Sequence, residues 1–322
     1  MKRFTLKKVA IAALALSSFA VSAQDQSPIR MLVGFAPGGN VDHVARLLAE
    51  ELRSQLGRNI LVENRPGAGG RLAAQLLKAA PGDGNTYMLS PDSWAVFPTI
   101  TMTEAQLRYN YARDMAPVAR VASYPLVFLA SASSGVTSMS DYAQKVKTEP
   151  SLAMYGSSGA GSITEFLGVL LSRELGTKLT VVPFKGGSEV MTMLMGGQVK
   201  VGIMSPSDVL SGNNKKVRPL GFISEKRSAL APHIPTLAEQ GIKVTHGSAF
   251  IGMWASTKTP ESERAKMGKA IKAVLENPGF KQKLAAAYVE ADYGDAKDLD
   301  KQVRGLVDYW KPVLEESGFK PS

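Results

Sequence analysis

Four times along this chain an apolar run of strand length gives way to a glycine- or serine-rich turn, then to apolar residues at helical spacing. The clearest case spans residues 29–52. Residues 29–35 form a short apolar run bounded by turn residues, the pattern of a buried strand. Pro37, Gly38 and Gly39 break it, and Asn40 or Asp42 stands where a helix cap is needed. Val44, Leu47, Leu48 and Leu52 then recur with a helical period. The succession returns at 59–77 with Gly67, Gly69 and Gly70 in the turn, at 152–171 with a turn over 156–162, and at 179–195 with Gly186, Gly187 and Ser188. In the second of these, helical spacing resumes at Leu72, Leu76 and Leu77. Strands alternating with helices predict an α/β fold built on parallel sheets covered on both faces. A run of β-formers over 118–130, interrupted by Pro125, predicts a first crossing between two domains, and a return crossing is expected near Gly247. The expected division is 24–124 with 247–322 as one lobe and 125–246 as the other.

A strand–turn–helix unit of this kind leaves several backbone N–H groups at the positive end of a helix, which suits an anion. In open sheets such turns line one rim, beyond the carboxyl ends of the strands. For any single turn, close packing of a short connection is the better explanation. Four of them, two in each half, favour a shared site in which two helix N-termini converge. The G-x-G-x-x-G spacing of dinucleotide folds is absent.

Residues 1–23 read as a cleavable leader. Lys2, Arg3, Lys7 and Lys8 make a basic start, 9–20 is apolar, and Val21, Ser22 and Ala23 form a small-residue cleavage site before Gln24. The apolar run is too short for a permanent membrane span, so a soluble periplasmic protein is expected. Removing the four leader cations from a formal net charge of +10 leaves +6. No long basic run is interleaved with aromatics, which argues against nucleic acid, and a positive field favours small anions. With no Cys in the chain, lipid attachment at the cleavage site, disulfides and thiolate metal sites are excluded.

Catalytic motifs are weak. Gly156, Ser157, Ser158 and Gly159 do not make a nucleophile elbow, because Ala160 stands where the last glycine belongs. A serine hydrolase would need His43 or His246 beside Ser158, and His233 sits in a proline-flanked loop. No metal-ligand spacing is present, and no cofactor is expected. Asp42 either caps the first helix or takes a ligand amine. Arg71 either forks onto a ligand carboxylate or is solvated. Glu165 stands in a first helical turn, where the dipole favours a carboxylate with or without a ligand. Lys185 is a turn cation, and Phe35 and Trp94 are either apolar walls or core.

In order, the segments 28–30, 35–46, 62–70, 82–84, 156–162, 182–187, 196–199, 234–241 and 259–260 resemble Bug-type extracytoplasmic solute receptors, the binding proteins of tripartite tricarboxylate transporters. The resemblance covers nearly the whole mature chain. It implies a two-lobed binding protein of type II-like architecture, each lobe a mostly parallel sheet flanked by helices, that closes on a small carboxylate and is not an enzyme. It implies inner-membrane transporter subunits as partners and a monomeric state, with a sensor for a membrane regulator as the alternative. The implied pocket uses Phe35, Ala36, Pro37, Gly38, Gly39, Asn40 and Asp42, then Ser90, Asp92 and Ser93 from one turn. From the second half it uses Ser157, Ser158, Gly159, Gly161, Ser162 and Thr164, with Lys185, Gly186 and Gly187, and the turn of Ser205 and Asp208 joins these. Arg71 and Glu165 depart from the Asn and His common in the family, as does the turn at Ser205. A cation and an anion at the rim predict a ligand with a carboxylate plus an amine or polar ring.

Overall fold

The computed structural model describes residues 27–159, 161–210 and 215–317; the leader expected over 1–23 lies outside them. β1 (Ile29–Val33) buries every position but Arg30, as an apolar run between two neighbouring strands must. It feeds α1 (Asn40–Leu56), which ends on Gly57 in the left-handed conformation. β2 (Ile60–Asn64), α2 (Arg71–Ala79), β3 (Thr86–Pro91), α3 (Ser93–Thr101) and β4 (Met115–Pro125) follow. The chain then builds β5 (Val127–Ser131), β6 (Met154–Ser157), α4 (Ile163–Leu175), β7 (Thr180–Pro183), α5 (Gly187–Met195), β8 (Val201–Met204), α6 (Pro206–Leu210) and β9 (Val217–Phe222). It returns through β10 (Ser248–Ser256), α7 (Glu261–Glu276), α8 (Pro278–Ala286), β11 (Glu290–Gly294) and α9 (Ala296–Glu316).

Two sheets result, of order β11-β4-β10-β3-β1-β2 and β7-β6-β8-β5-β9. The two-sheet α/β architecture is the one expected, but the pairing is mixed rather than mostly parallel. β1 runs parallel to β2 and β3, and β6 to β7 and β8. β10 runs antiparallel to β3 and β4, β11 to β4, and β5 to β8 and β9. A parallel neighbour needs a helical crossover, and the strands that carry the chain between sheets arrive without one.

Those two crossings are tied together. Leu126 N–H donates to Gly247 O at 2.7 Å, Gly247 N–H to Ile223 O at 3.1 Å, and Ile223 N–H to Leu126 O at 2.8 Å. A Cβ on Gly247 would stand 2.4 Å from Ile223 Cβ, so only glycine lets the strands approach this closely. The sheets' helices also meet directly: Phe97 of α3 lies 4.6 Å from Phe166 of α4 and 5.4 Å from Trp310 of α9, ring centre to ring centre.

Two helices depart from what the spacing of apolar residues suggests. In α2 the buried face is Ala73, Ala74 and Leu77, while Leu72 and Leu76 are 45% and 44% exposed. Small residues let this helix settle closely on β1, β3 and β10, and the leucines flank it. Residues 93–101 form the helix α3, with Pro98 inside it. Its apolar residues point all round, so no helical stripe marks it in the sequence.

Candidate functional site

The turn after β1 is shaped by the helix it precedes. Gly38 takes a φ of +82°, and its N–H donates to Asp42 Oδ2 at 2.9 Å. Asp42 also accepts from Arg46 Nε and Asn64 Nδ2, both at 2.9 Å, and Asn64 Nδ2 reaches Phe35 O at 3.1 Å. Burial pushes the Asp42 carboxyl up, yet the bonds from Arg46, Gly38 and Asn64, with the charge of Arg46, hold it below its ordinary value. Asp42 is therefore engaged by its own loop.

The second half repeats this. Gly161 N–H donates to Glu165 Oε2 at 2.6 Å, and Lys185 N–H to Glu189 Oε2 at 2.8 Å. In each case the acid stands four residues after the donor, at a helix N-terminus, where the macrodipole also favours it. Glu165 thus closes its own loop, and Arg71 does not pair with it. In the turn over 157–164, Thr164 Oγ1 gathers Ser157 Oγ at 2.8 Å, Ser162 Oγ at 2.7 Å, and both the N–H and Oγ of Ser158 at 3.2 Å.

An added Cβ would meet nothing within 4 Å at Gly38, Gly161 or Gly186. The turn over 67–70 differs, because Gly70 is wedged against Trp94 Cβ, Phe35 Cε2 and Ser90 Oγ, and Gly34 meets its Cα. Its glycines serve close packing. Ala36 and Pro37 are exposed, Gly39 is half-buried, and Lys185 is exposed.

Ser90, Asp92 and Ser93 do not form an open rim turn. All three are buried, with Ser90 at the end of β3 and Ser93 opening α3. Asp92 N–H donates to Phe250 O at 3.0 Å. Its carboxyl is pushed up to about 7 by burial, against backbone amides of Ser93, Asp92 itself and Phe250. Tyr124, whose partner across β10 is Ala249, stands on the other side of that strand end. Burial raises its phenol, and so do the charges of Asp92 and Asp208, while the Asn40 side chain pulls it down. Asn40 and Asp92 flank the first sheet and Asp208 the second, so groups from both sheets act at Tyr124. Asp208 accepts from Ser205 Oγ at 2.6 Å and crowds Gly187, whose added Cβ would lie 2.2 Å from Asp208 Oδ2.

Tyr124, Asn64 and Glu189 were not legible as site residues. Tyr124 hides in a run of β-formers. Glu189 carries the one signal that was available, the four-residue spacing it shares with Asp42 and Glu165. Ser158 bonds to Thr164 and not to an imidazole; His43 and His233 are exposed, and His246 stacks on Tyr309 at 3.9 Å. No metal-binding cluster occurs among the described residues. Two surface grooves, of about 240 Å³ beside Arg173 and Tyr309 and about 500 Å³ beside Tyr109 and Val307, contain none of the candidate ligand-binding residues, although His246 lines the first.

The family model described as "Tripartite tricarboxylate transporter family receptor" matches residues 44–319. The "UPF0065 protein in gbd 5'region" of Cupriavidus necator is 30% identical over 96% of this chain and 94% of its own length. The solved structure of R. palustris Rpa4515 with adipate is 26% identical, with a TM-score of 0.86, covering 92% of this chain and 98% of that one. Periplasmic binding protein BugD is 28% identical, with a TM-score of 0.81, covering 91% and 98%.

Proposed function

Because this chain belongs to the tripartite tricarboxylate transporter receptor family, as a Bug-type solute receptor and not an enzyme, we propose that it captures a small carboxylate in the periplasm and delivers it to inner-membrane transporter subunits. The ligand sits between two lobes, 24–124 with 247–322 and 125–246, and the protein acts as a monomer. The observation that carries this reading is the set of glycine turns at Gly38, Gly161 and Gly186, from both sheets, each at a helix N-terminus and each with space beside its Cα. Backbone N–H groups there hold a carboxylate by charge-assisted hydrogen bonds without a dedicated ion pair. The hydroxyls of Ser157, Ser158, Ser162 and Thr164 add donors whose hydrogens can rotate toward it. The similarity to a structure holding adipate supports this ligand class. Closure follows from differential affinity: a ligand touching both lobes only when they are shut favours the shut form.

Calorimetric titration of the mature protein with adipate and a panel of organic acids tests the reading. At least one acid is expected to bind. Gly38→Val, which forces a β-branched residue to positive φ at roughly 1–2 kcal/mol, is expected to weaken that acid by about tenfold or more. Indifference to every acid, or full affinity in the variant, would sink it.

A further inference from the structure

Tyr288 breaks a backbone rule without belonging to the turns of the candidate site. It follows α8 with a φ of +55°, in the C′ position of that helix: Val289 N–H donates to Leu284 O at 3.1 Å and Tyr288 N–H to Ala285 O at 2.9 Å. Glycine usually stands there, because a left-handed backbone is costly for a residue with a Cβ. Such a residue persists only where its surroundings compensate the strain, and here the compensation lies in the other half of the molecule. The half-buried Tyr288 side chain packs against the core of the second sheet, the cluster that includes Phe222, Ala231 and Ile234. Two residues on, Glu290 accepts from Ser228 Oγ at 3.4 Å. Glu290 also pairs with Ser123, just before the crossing at Pro125, and Ser228 comes five residues after Ile223, which bonds to both crossings. The contact therefore sits beside the crossings, where a change in the angle between the sheets would pull it apart.

The glycine turns bond within their own loops. Gly38, Gly161 and Lys185 donate to Asp42, Glu165 and Glu189, and space remains beside Gly38, Gly161 and Gly186. We propose that Tyr288 is a pin that holds the lobes in this arrangement, with the turns apart, and so sets how strongly a ligand must bind to close them. The identity of the ligand rests on the receptor reading; the pin does not. A contact made in one arrangement and lost in the other shifts their ratio by its own free energy, and apparent affinity follows the fraction of the binding-competent form. The Tyr288 ring supplies the contact, and the positive φ is what it costs to aim that ring across the joint.

Two substitutions separate pin from cap. Tyr288→Gly suits the left-handed backbone and removes the ring, whereas Tyr288→Phe keeps the ring. Calorimetric titration of the mature protein with adipate and other organic acids should show the best-bound acid about threefold or more tighter in Tyr288→Gly, and within about twofold of the parent in Tyr288→Phe. Thermal melts report whether each variant is folded, and Tyr288→Asn, which also tolerates a positive φ, carries the test if the glycine variant is not. Unchanged affinity on loss of the ring would leave Tyr288 a helix cap only, and weaker binding would assign its contact to the shut form; either result overturns the pin. A second readout needs no ligand. The chain has no Cys, so Lys178→Cys and Glu276→Cys, at exposed positions one in each lobe, take spin labels at those two sites alone. The distribution of label-to-label distances is expected to broaden with Tyr288→Gly and not with Tyr288→Phe. Failure of every acid to bind overturns the carboxylate reading and leaves the pin to the labels, where an unchanged distribution overturns it too.

Discussion

A carboxylate four residues beyond a turn N–H shapes three of the glycine turns, through Asp42 on Gly38, Glu165 on Gly161 and Glu189 on Lys185. Each bond takes one donor away from any ligand and fixes the direction of those that remain. Asp92 behaves differently, because nothing cationic compensates its burial. Its folded pKa, about 7, lies above the ordinary 3.8, so the folded state binds the extra proton. Stability is then greatest below the unfolded value and falls as pH rises from there to about 7. The difference corresponds to at most about 4 kcal/mol. Asp92→Asn is accordingly expected to stabilise the ligand-free protein at pH 8 and to make little difference near pH 4, which urea denaturation at both values would reveal. A variant weaker at pH 8 would mean that the carboxylate is held ionised. The spacing of Asp42 from Gly38 was visible beforehand; the burial of Asp92 was not, because nothing local distinguishes a polar turn on the rim from one covered by β10 and α3.

Adjacent glycines at the start of α5 do different work. Gly186 is extended, at φ 169°, with nothing within 4 Å of an added Cβ. Gly187 is pressed against the Asp208 carboxylate. Gly186→Ala should change folding stability by no more than about 0.5 kcal/mol, as at sites free of packing. Gly187→Ala should cost about 1–3 kcal/mol, as overpacking does, by forcing Asp208 aside. Chemical denaturation of the two variants separates these effects, and equal losses would contradict the contact. The elements themselves were largely readable, because a clean period of 3.6 or an apolar run of strand length survives folding. The leucine spacing of α2 does not by itself mark its buried face, because close helix–sheet approach selects alanine over bulk. α3 escaped notice because a helix apolar on all sides has no stripe.

Across the molecule, the contacts that couple the two sheets include the hydrogen-bonded ring of Leu126, Ile223 and Gly247 and the aromatic contact of Phe97, Phe166 and Trp310. A side chain at 247 would collide with both the side chain and the carbonyl of Ile223. Gly247→Ala should therefore destabilise by roughly 1–3 kcal/mol and separate the unfolding of the two sheets, seen as a broadened calorimetric transition. A sharp, unshifted transition would show that the crossings are not held there. What the chain's order of residues determined alone is local: alternating strands and helices, the glycine turns between them, the crossing near Pro125, and motifs specific enough to mark the family. Those follow from backbone sterics and short-range periodicity, which act within one turn or one strand. Only the tertiary structure decided which glycine turns keep space beside them and which merely pack, that the sheets are mixed, and that Asn40, Asp92 and Asp208 act at one tyrosine. Each depends on desolvation and close approach between segments far apart in sequence, and neither quantity exists until the chain has closed on itself.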